Sequence, residues 1–328
     1  MSFAVDFALV EAVGEAVSRH VRRTPLLRSD WLSVRTDREV FLKCENLQVT
    51  GSFKVRGALA ALARLGAEER RRGVVAASAG NHGLGLAHAA AVHGVAATVV
   101  VPRSAPAVKV DGIAALGARV VRSPHDGYDD TETWTLENLG RLGGLWLSPC
   151  EDPAVIAGNG GTTAREIFAD APALDALVVP CGGGGCAIGA GVVARRMSPA
   201  TRIVAVNTEA SPGMWLSWQE GRARRRVASR PTVAEGLEGG VGEQAYALSR
   251  RYIDEVRLVS EAAIRRAVVG CLLRERLLVE GSGAAGVAAL LDGHVEGRRI
   301  GVVLTGSNID RSRLGELLAR DPTERPEG

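Results

Sequence analysis

Short β-branched runs alternate with alanine- and leucine-rich stretches along most of this chain, and that alternation limits the fold more than any other feature. The runs are 74–78 (VVAAS), 97–101 (ATVVV), 118–122 (ARVVR), 176–180 (ALVVP), 202–206 (RIVAV) and 300–304 (IGVVL). Helices are expected near 56–71, 83–93, 106–116, 160–169, 187–196, 261–273 and 284–291. Strands that are apolar on both faces have no solvent side, so helices must cover both. Such strands alternating with helices mean an α/β fold of mostly parallel, twisted sheets flanked by helices. In open parallel sheets, ligands sit beyond the carboxyl ends of the strands, at helix N-termini. The informative residues are therefore those just after each strand.

Three of these junctions carry glycine and polar residues: SAGNHG after 74–77, CGGGGCAIG after 176–180 and TGSN after 300–304. A fourth segment, TGSFKVRG at 50–57, opens an early helix. In CGGGGCAIG, Gly182, Gly183, Gly184 and Gly185 run from a strand straight into a helix. Missing Cβ atoms let the backbone approach a ligand, and the helix N-terminal amides face it, which makes a phosphate cradle. The pattern GxxxxGK[ST] is absent and no second dinucleotide signal accompanies the turn, so a single phosphate monoester is expected. In SAGNHG, small residues expose backbone N–H groups, and Asn81 and His82 add side-chain donors. That set suits a carboxylate.

TGSFKVRG holds one of only three lysines, Lys43, Lys54 and Lys109. At a helix start, among small and aromatic neighbours, Lys54 is partly desolvated and close to a positive helix end. Both effects make an amine nucleophile available. LTGSN places Thr305 directly after a buried strand, and EGSGAAGVAALL sets Glu280 before an apolar helix. Taken singly, each of these residues has a purely structural reading. Lys54 is then a solvated lysine, His82 a ring satisfied by backbone, Thr305 a helix cap and Glu280 a cap or ion-pair residue. Taken together, a phosphate cradle, a carboxylate loop and an activatable lysine on one sheet edge point to pyridoxal phosphate and an amino-acid substrate.

Composition closes off other classes. A chain of 328 residues, 46% apolar and 23% charged, buries a large core and spans two domains or one large one. The formal charge of +3 is small and spread along the chain, which argues against a nucleic-acid or membrane-surface role. No apolar run reaches the ~18 residues of a membrane span, and the N-terminus is broken by acids, unlike a signal peptide. Five scattered cysteines fit reduced thiols in a cytoplasm better than a disulfide framework, and none has zinc-ligand spacing. The Arg-rich stretch 221–230 reads as a solvated surface turn, and 321–328 as a frayed tail.

ENLQVTGSFKVRGA, SAGNHG, CGGGGCAIG, TVAEGLEGG, VEGSGAAG and LTGSNID occur in the order seen in fold-type-II pyridoxal-phosphate enzymes. Within these, the chain resembles the threonine/serine dehydratase and serine racemase group, from about Thr24 to Asp310. The resemblance implies the tryptophan synthase β-like architecture of two α/β domains. A larger cofactor-binding domain would combine 1–65 and 150–320, and a smaller mobile one, 66–149, would carry the SAGNHG loop. Lys54 would form the Schiff base with pyridoxal phosphate and Phe53 would pack near the cofactor ring. Asn81 would bond its phenolic oxygen, and Thr305 would pair with its pyridine nitrogen. The backbone of Gly182, Gly183, Gly184, Gly185 and Cys186 would hold the phosphate, with Glu280 in the cofactor-binding set. Ser78, Gly80, Asn81 and His82 would receive the substrate carboxylate.

The implied activity is β-elimination from a β-hydroxy amino acid, L-threonine or L-serine foremost, giving a 2-oxo acid and ammonia. Lys54 would remove the Cα proton. A dehydratase of the hydroxyectoine type and an amino-acid racemase share the scaffold. A non-catalytic ligand-binding homologue is opposed by the retained Lys54. Racemases of this group carry a serine hydroxyl one residue before Gly-Asn-His, where this chain has Ala79. Relatives with a divalent cation use a Glu soon after the strand at 202–206. Asn207 stands there, with Glu209 two residues on, so no metal is expected. The usual Pro after the Glu of the 280 motif is Gly281, and no regulatory domain is expected after LTGSNID. The expected partner is a small amino acid, with no nucleic acid or membrane, in a cytoplasmic homodimer.

Overall fold

The computed structural model describes residues 4–78, 80–171 and 173–319. Ala79 and the expected frayed tail at 321–328 lie outside the described residues. Ten strands form two sheets: β1 Leu26–Arg28, β2 Glu39–Lys43, β3 Val74–Ala77, β4 Ala97–Val101, β5 Arg119–Arg122, β6 Leu145–Trp146, β7 Ala176–Pro180, β8 Arg202–Thr208, β9 Glu255–Val259 and β10 Arg299–Val303. The six-stranded sheet has the order β1-β2-β10-β7-β8-β9 and the four-stranded sheet the order β5-β4-β3-β6. Every pairing is parallel except β1 with β2. The larger sheet unites both ends of the chain, since β10 lies between β2 and β7.

β4 and β7 are buried along their whole length, which is why their sequences show no polar alternation. Their side chains still alternate in direction. Leu177 and Val179 join a buried cluster with Val74 and Val99 of the smaller sheet. Val178 faces the other way, into a second cluster with Val204, Ile300 and Val302. The first cluster therefore runs through both sheets, the second packs on the opposite face of the larger sheet, and helices cover the outer faces.

Several expectations need correction. β5 sits at a sheet edge with exposed ends, so it is not apolar on both faces. β1, β6 and β9 carry no continuous apolar run, and β6 is only two residues long. The helix expected at 56–71 is two helices, Lys54–Ala63 and Ala67–Arg72. The break falls at Gly66, whose N–H donates to Glu69 Oε2 at 2.8 Å and starts the second helix. The helix expected near 160–169 begins earlier, at Pro153–Ile156, and passes through a π-turn over Ala157–Gly161 into Thr162–Asp170. The Arg-rich stretch 221–230 is largely exposed and lies outside helix and strand, as expected of a solvated surface turn. Arg226 pairs with Asp130 at 3.4 Å and donates to Thr133 Oγ1 at 3.1 Å, both on the helix Tyr128–Glu137.

Beneath the helix Lys54–Ala63 lies a compact ion network. Lys43 and Glu45 are fully buried and Arg56 is 1% exposed. Lys43 Nζ meets Glu166 at 2.5 Å, and Arg56 meets Glu45 at 2.7 Å and Glu166 at 2.8 Å. Burial alone would raise the Glu45 carboxyl and lower the Arg56 guanidinium, but their contact reverses both shifts. Two cations and two carboxylates balance, so removing one member would strand a buried charge at a cost of about 3–5 kcal/mol. The network fixes the helix that begins with Lys54.

Candidate active site

The lysine helix starts against the turn that follows β10. Phe53 N–H donates to Thr305 O at 3.1 Å, Ser307 N–H donates to Gly51 O at 2.8 Å, and Ser52 bridges to Gly306. Thr305 is 4% exposed at that junction. Lys54 is the first helical residue, and its Nζ stands 5.2 Å from the centre of the Phe53 ring. Lys43 and Lys109 each sit 2.5 Å from a carboxylate, Glu166 and Glu235 respectively. Among the described residues, no carboxylate pairs with Lys54. Of the three lysines, only Lys54 keeps an uncommitted amine.

The other expected residues gather around it. Lys54's charge acts on His82, Cys150, Cys186 and Glu280. Asn81 opens the helix Asn81–His93, with Gly80 as its N-cap and Ser78 Oγ accepting from Gly80 N–H at 3.2 Å. Asn81 Nδ2 donates to Glu280 Oε1 at 2.5 Å, and Asn308 Nδ2 donates to Asn81 Oδ1 at 2.7 Å. This chain of polar side chains joins the ends of β3 and β10. Asn308 lies in the TGSN turn but received no role from the sequence, because a lone Asn in a turn gives no separate signal.

The glycine loop lies at the end of β7. Gly184 has φ +98°, a left-handed conformation suited to glycine, and it caps the helix Gly185–Met197. A Cβ on Gly183 would stand 2.6 Å from Cys150 Sγ. Cys150 therefore packs directly against the cradle, which nothing in its sequence neighbourhood announced.

Burial raises the thiols of Cys150, Cys181 and Cys186, and it displaces His82 and Glu280 as well. Burial, and then the charge of Lys54, push His82 down to about 3, so the ring is neutral. The Leu147 backbone lies near the ring but outside hydrogen-bond geometry, and both ring nitrogens are unpartnered in a side chain 4% exposed. Burial pushes Glu280 up from 4.5 to about 7, against the Asn81 hydrogen bond. A carboxyl raised by folding binds more protons folded than unfolded. Its contribution is complete below pH 4.5 and is lost as pH rises through about 7. His82 has the opposite sign: its contribution is complete above 6.5 and is lost as pH falls toward about 3. We expect Glu280 to cost the cofactor-free protein on the order of 1–3 kcal/mol between pH 5 and 8. Glu280→Gln should flatten that part of the stability curve in urea melts, and an unchanged slope would refute the assignment.

The residues fit pyridoxal phosphate on four observations. An uncommitted lysine stands at a helix start beside an aromatic ring. A glycine cradle ends at a helix N-terminus. The buried His82 ring and Ser52 hydroxyl have no hydrogen-bond partners among the described residues. A buried hydroxyl, Thr305, closes the strand beside the lysine. A family model described as "Pyridoxal-phosphate dependent enzyme" matches residues 17–306. The chain belongs to the pyridoxal-phosphate-dependent enzymes. Within that family it is 41% identical to the L-threonine ammonia-lyase of Thermotoga maritima over 300 residues, which cover 91% of this chain and 74% of the relative. It is 36% identical over 314 residues to L-threonine dehydratase catabolic TdcB of Escherichia coli K12, covering 94% of each. The solved maize serine racemase superposes with a TM-score of 0.88 at 29% identity, covering 96% of this chain and 97% of that one. Among the described residues, no helix is long and apolar enough to cross a membrane, and no group of three or more His, Cys, Asp or Glu side chains is placed to hold a metal ion.

Proposed function

We propose that this chain is a pyridoxal-phosphate-dependent ammonia-lyase that converts a β-hydroxy amino acid, L-threonine or L-serine, into a 2-oxo acid and ammonia. The observation that carries the reading is Lys54, the one lysine without a carboxylate partner among the described residues, at a site bounded by the glycine loop and the SAGNHG loop. The similarity to threonine ammonia-lyases and dehydratases supports the reaction class. The bound cofactor supplies an electron sink for the negative charge left at the substrate Cα. Lys54 Nζ takes the Cα proton. Ser78, Gly80, Asn81 and His82 receive the substrate carboxylate at the positive end of the helix Asn81–His93. The amides of Gly182, Gly183, Gly184, Gly185 and Cys186 would hold the phosphate. Phe53 would pack beside the cofactor ring, and Thr305, Asn81 and Glu280 would complete the set that holds it. The β-hydroxyl leaves as water, which accounts for the proton lost from Cα, and the enamine left behind takes up one water to give the 2-oxo acid and ammonia.

The larger domain in this reading is 1–65 with 150–320, and the smaller is 66–149. The Lys109–Glu235 pair and the Arg226–Asp130 pair cross between them. They support a smaller domain that closes over the substrate and excludes water. A homodimer is supported by large apolar side chains left exposed. Val34 is 85% and Leu273 56% exposed, and the Asn46–Leu278 hydrogen bond brings the exposed Leu278 near Leu47. Five free cysteines support a cytoplasmic location.

A second reading, racemase, is favoured by the maize serine racemase likeness. Racemisation needs a second acid–base group on the opposite cofactor face, and the Ala79 methyl has no exchangeable proton. Incubation with L-threonine and L-serine should give 2-oxobutyrate and pyruvate, with D-serine forming at under about a tenth of the pyruvate rate. Chiral chromatography checks this. D-serine appearing as fast as pyruvate overturns the assignment in favour of the racemase.

A further inference from the structure

Asn207, near the end of β8, lies beside the entrance to the glycine loop and is 1% exposed. Its side-chain amide is fully used. Nδ2 donates to Cys181 O at 2.9 Å and to Ser211 O at 3.2 Å. Oδ1 accepts from Met214 N–H at 3.1 Å and Trp215 N–H at 3.3 Å. Cys181 is the residue immediately before Gly182. Met214 lies in the first turn of the helix Gly213–Glu220, and its Cε stands 2.6 Å from where a Cβ on Gly184 would be. One amide thus fixes both the carbonyl that enters the loop and the side chain seated against the loop's left-handed residue.

We propose that Asn207 is a positioning residue for the phosphate cradle, holding the glycine loop in the shape that receives the cofactor phosphate. The proposal rests on the reading that Gly182–Gly185 bind that phosphate. The chemistry calls for an amide. Two donors face two carbonyls, and one oxygen faces two N–H groups. A carboxylate would turn acceptors toward the Cys181 and Ser211 carbonyls, and a small side chain would leave all four backbone groups without the amide. Either change frees the loop entrance and the seat of Met214. The lysine helix is held elsewhere, by Thr305, Ser307 and the buried ion network. The defect should therefore fall on the phosphate and spare the aldehyde end of the cofactor.

Pyridoxal, which keeps the aldehyde and lacks the phosphate, separates the two ends. Cofactor-free wild type, Asn207→Asp and Asn207→Ser are titrated with pyridoxal phosphate and with pyridoxal, following visible absorbance, with thermal melts as a fold control. The expected result is an affinity for pyridoxal phosphate lower by ~10-fold or more, with pyridoxal changed by less than ~3-fold. The phosphorus-31 resonance of the bound cofactor should also move. If Asn207→Asp does not fold, Asn207→Ser carries the same expectation. Unchanged pyridoxal phosphate affinity, or equal losses for both compounds, overturns the proposal. A wild type that binds both compounds equally overturns the phosphate reading of the loop, and the proposal with it.

Discussion

Lys54→Ala is expected to abolish the borohydride-reducible visible absorbance of the cofactor-loaded protein and to lower turnover by ~10⁴-fold or more. The expectation is strong because the rivals are spoken for. Lys43 is fully buried and sits in the ion network with Glu166, where deprotonation would leave the network short of a positive charge. Lys109 is paired with Glu235. Lys54 alone has an amine free to react, at the first turn of a helix fixed from below by Arg56. The variant should keep its fold, since Lys54 contributes no ion pair to the core. Reduction with borohydride followed by mass spectrometry of the labelled peptide checks the assignment. A reducible chromophore that survives in the variant would falsify it.

The parts of this site legible in the sequence share one physical property. CGGGGCAIG, SAGNHG and LTGSN sit where buried parallel strands end, and an all-apolar strand running into glycine or small polar residues is a local signal. β3, β4, β7, β8 and β10 were readable for the same reason: each is a buried run with no solvent face. β1, β6 and β9 were not, because short or half-exposed strands depend on their neighbours more than on their own residues.

The missed site residues are those whose contacts are far away in the chain. Cys150 reaches the glycine loop across more than thirty positions, and Asn308 reaches Asn81 across 227. Glu45, Arg56 and Glu166 look like surface charges in sequence, and only the fold gathers them into a buried network. The Arg-rich stretch is the solvated turn its sequence suggests, but the partners of Arg226, Asp130 and Thr133, lie on a helix roughly 90 residues earlier and leave no local signal.

Gly183→Asp should purify folded and largely without cofactor, because it changes two things at once. A Cβ at this position would stand 2.6 Å from Cys150 Sγ and 3.0 Å from Cys150 Cβ, so the loop or the cysteine must move. The added carboxylate also takes the place meant for an anion. A unit charge pair at ~4 Å costs about 4 kcal/mol at an effective dielectric of 20, so repulsion of the phosphate alone predicts a loss of affinity on the order of 10²–10³. The two causes can be separated. Gly183→Ala brings the crowding without the charge, and the crowding atom is the end of one side chain. Adding Cys150→Ala to Gly183→Ala should recover most of the lost affinity, whereas adding it to Gly183→Asp should recover little. Cofactor occupancy measured by absorbance, with circular dichroism to confirm the fold, decides the matter. If Gly183→Asp retains full occupancy, the phosphate does not lie against Gly183.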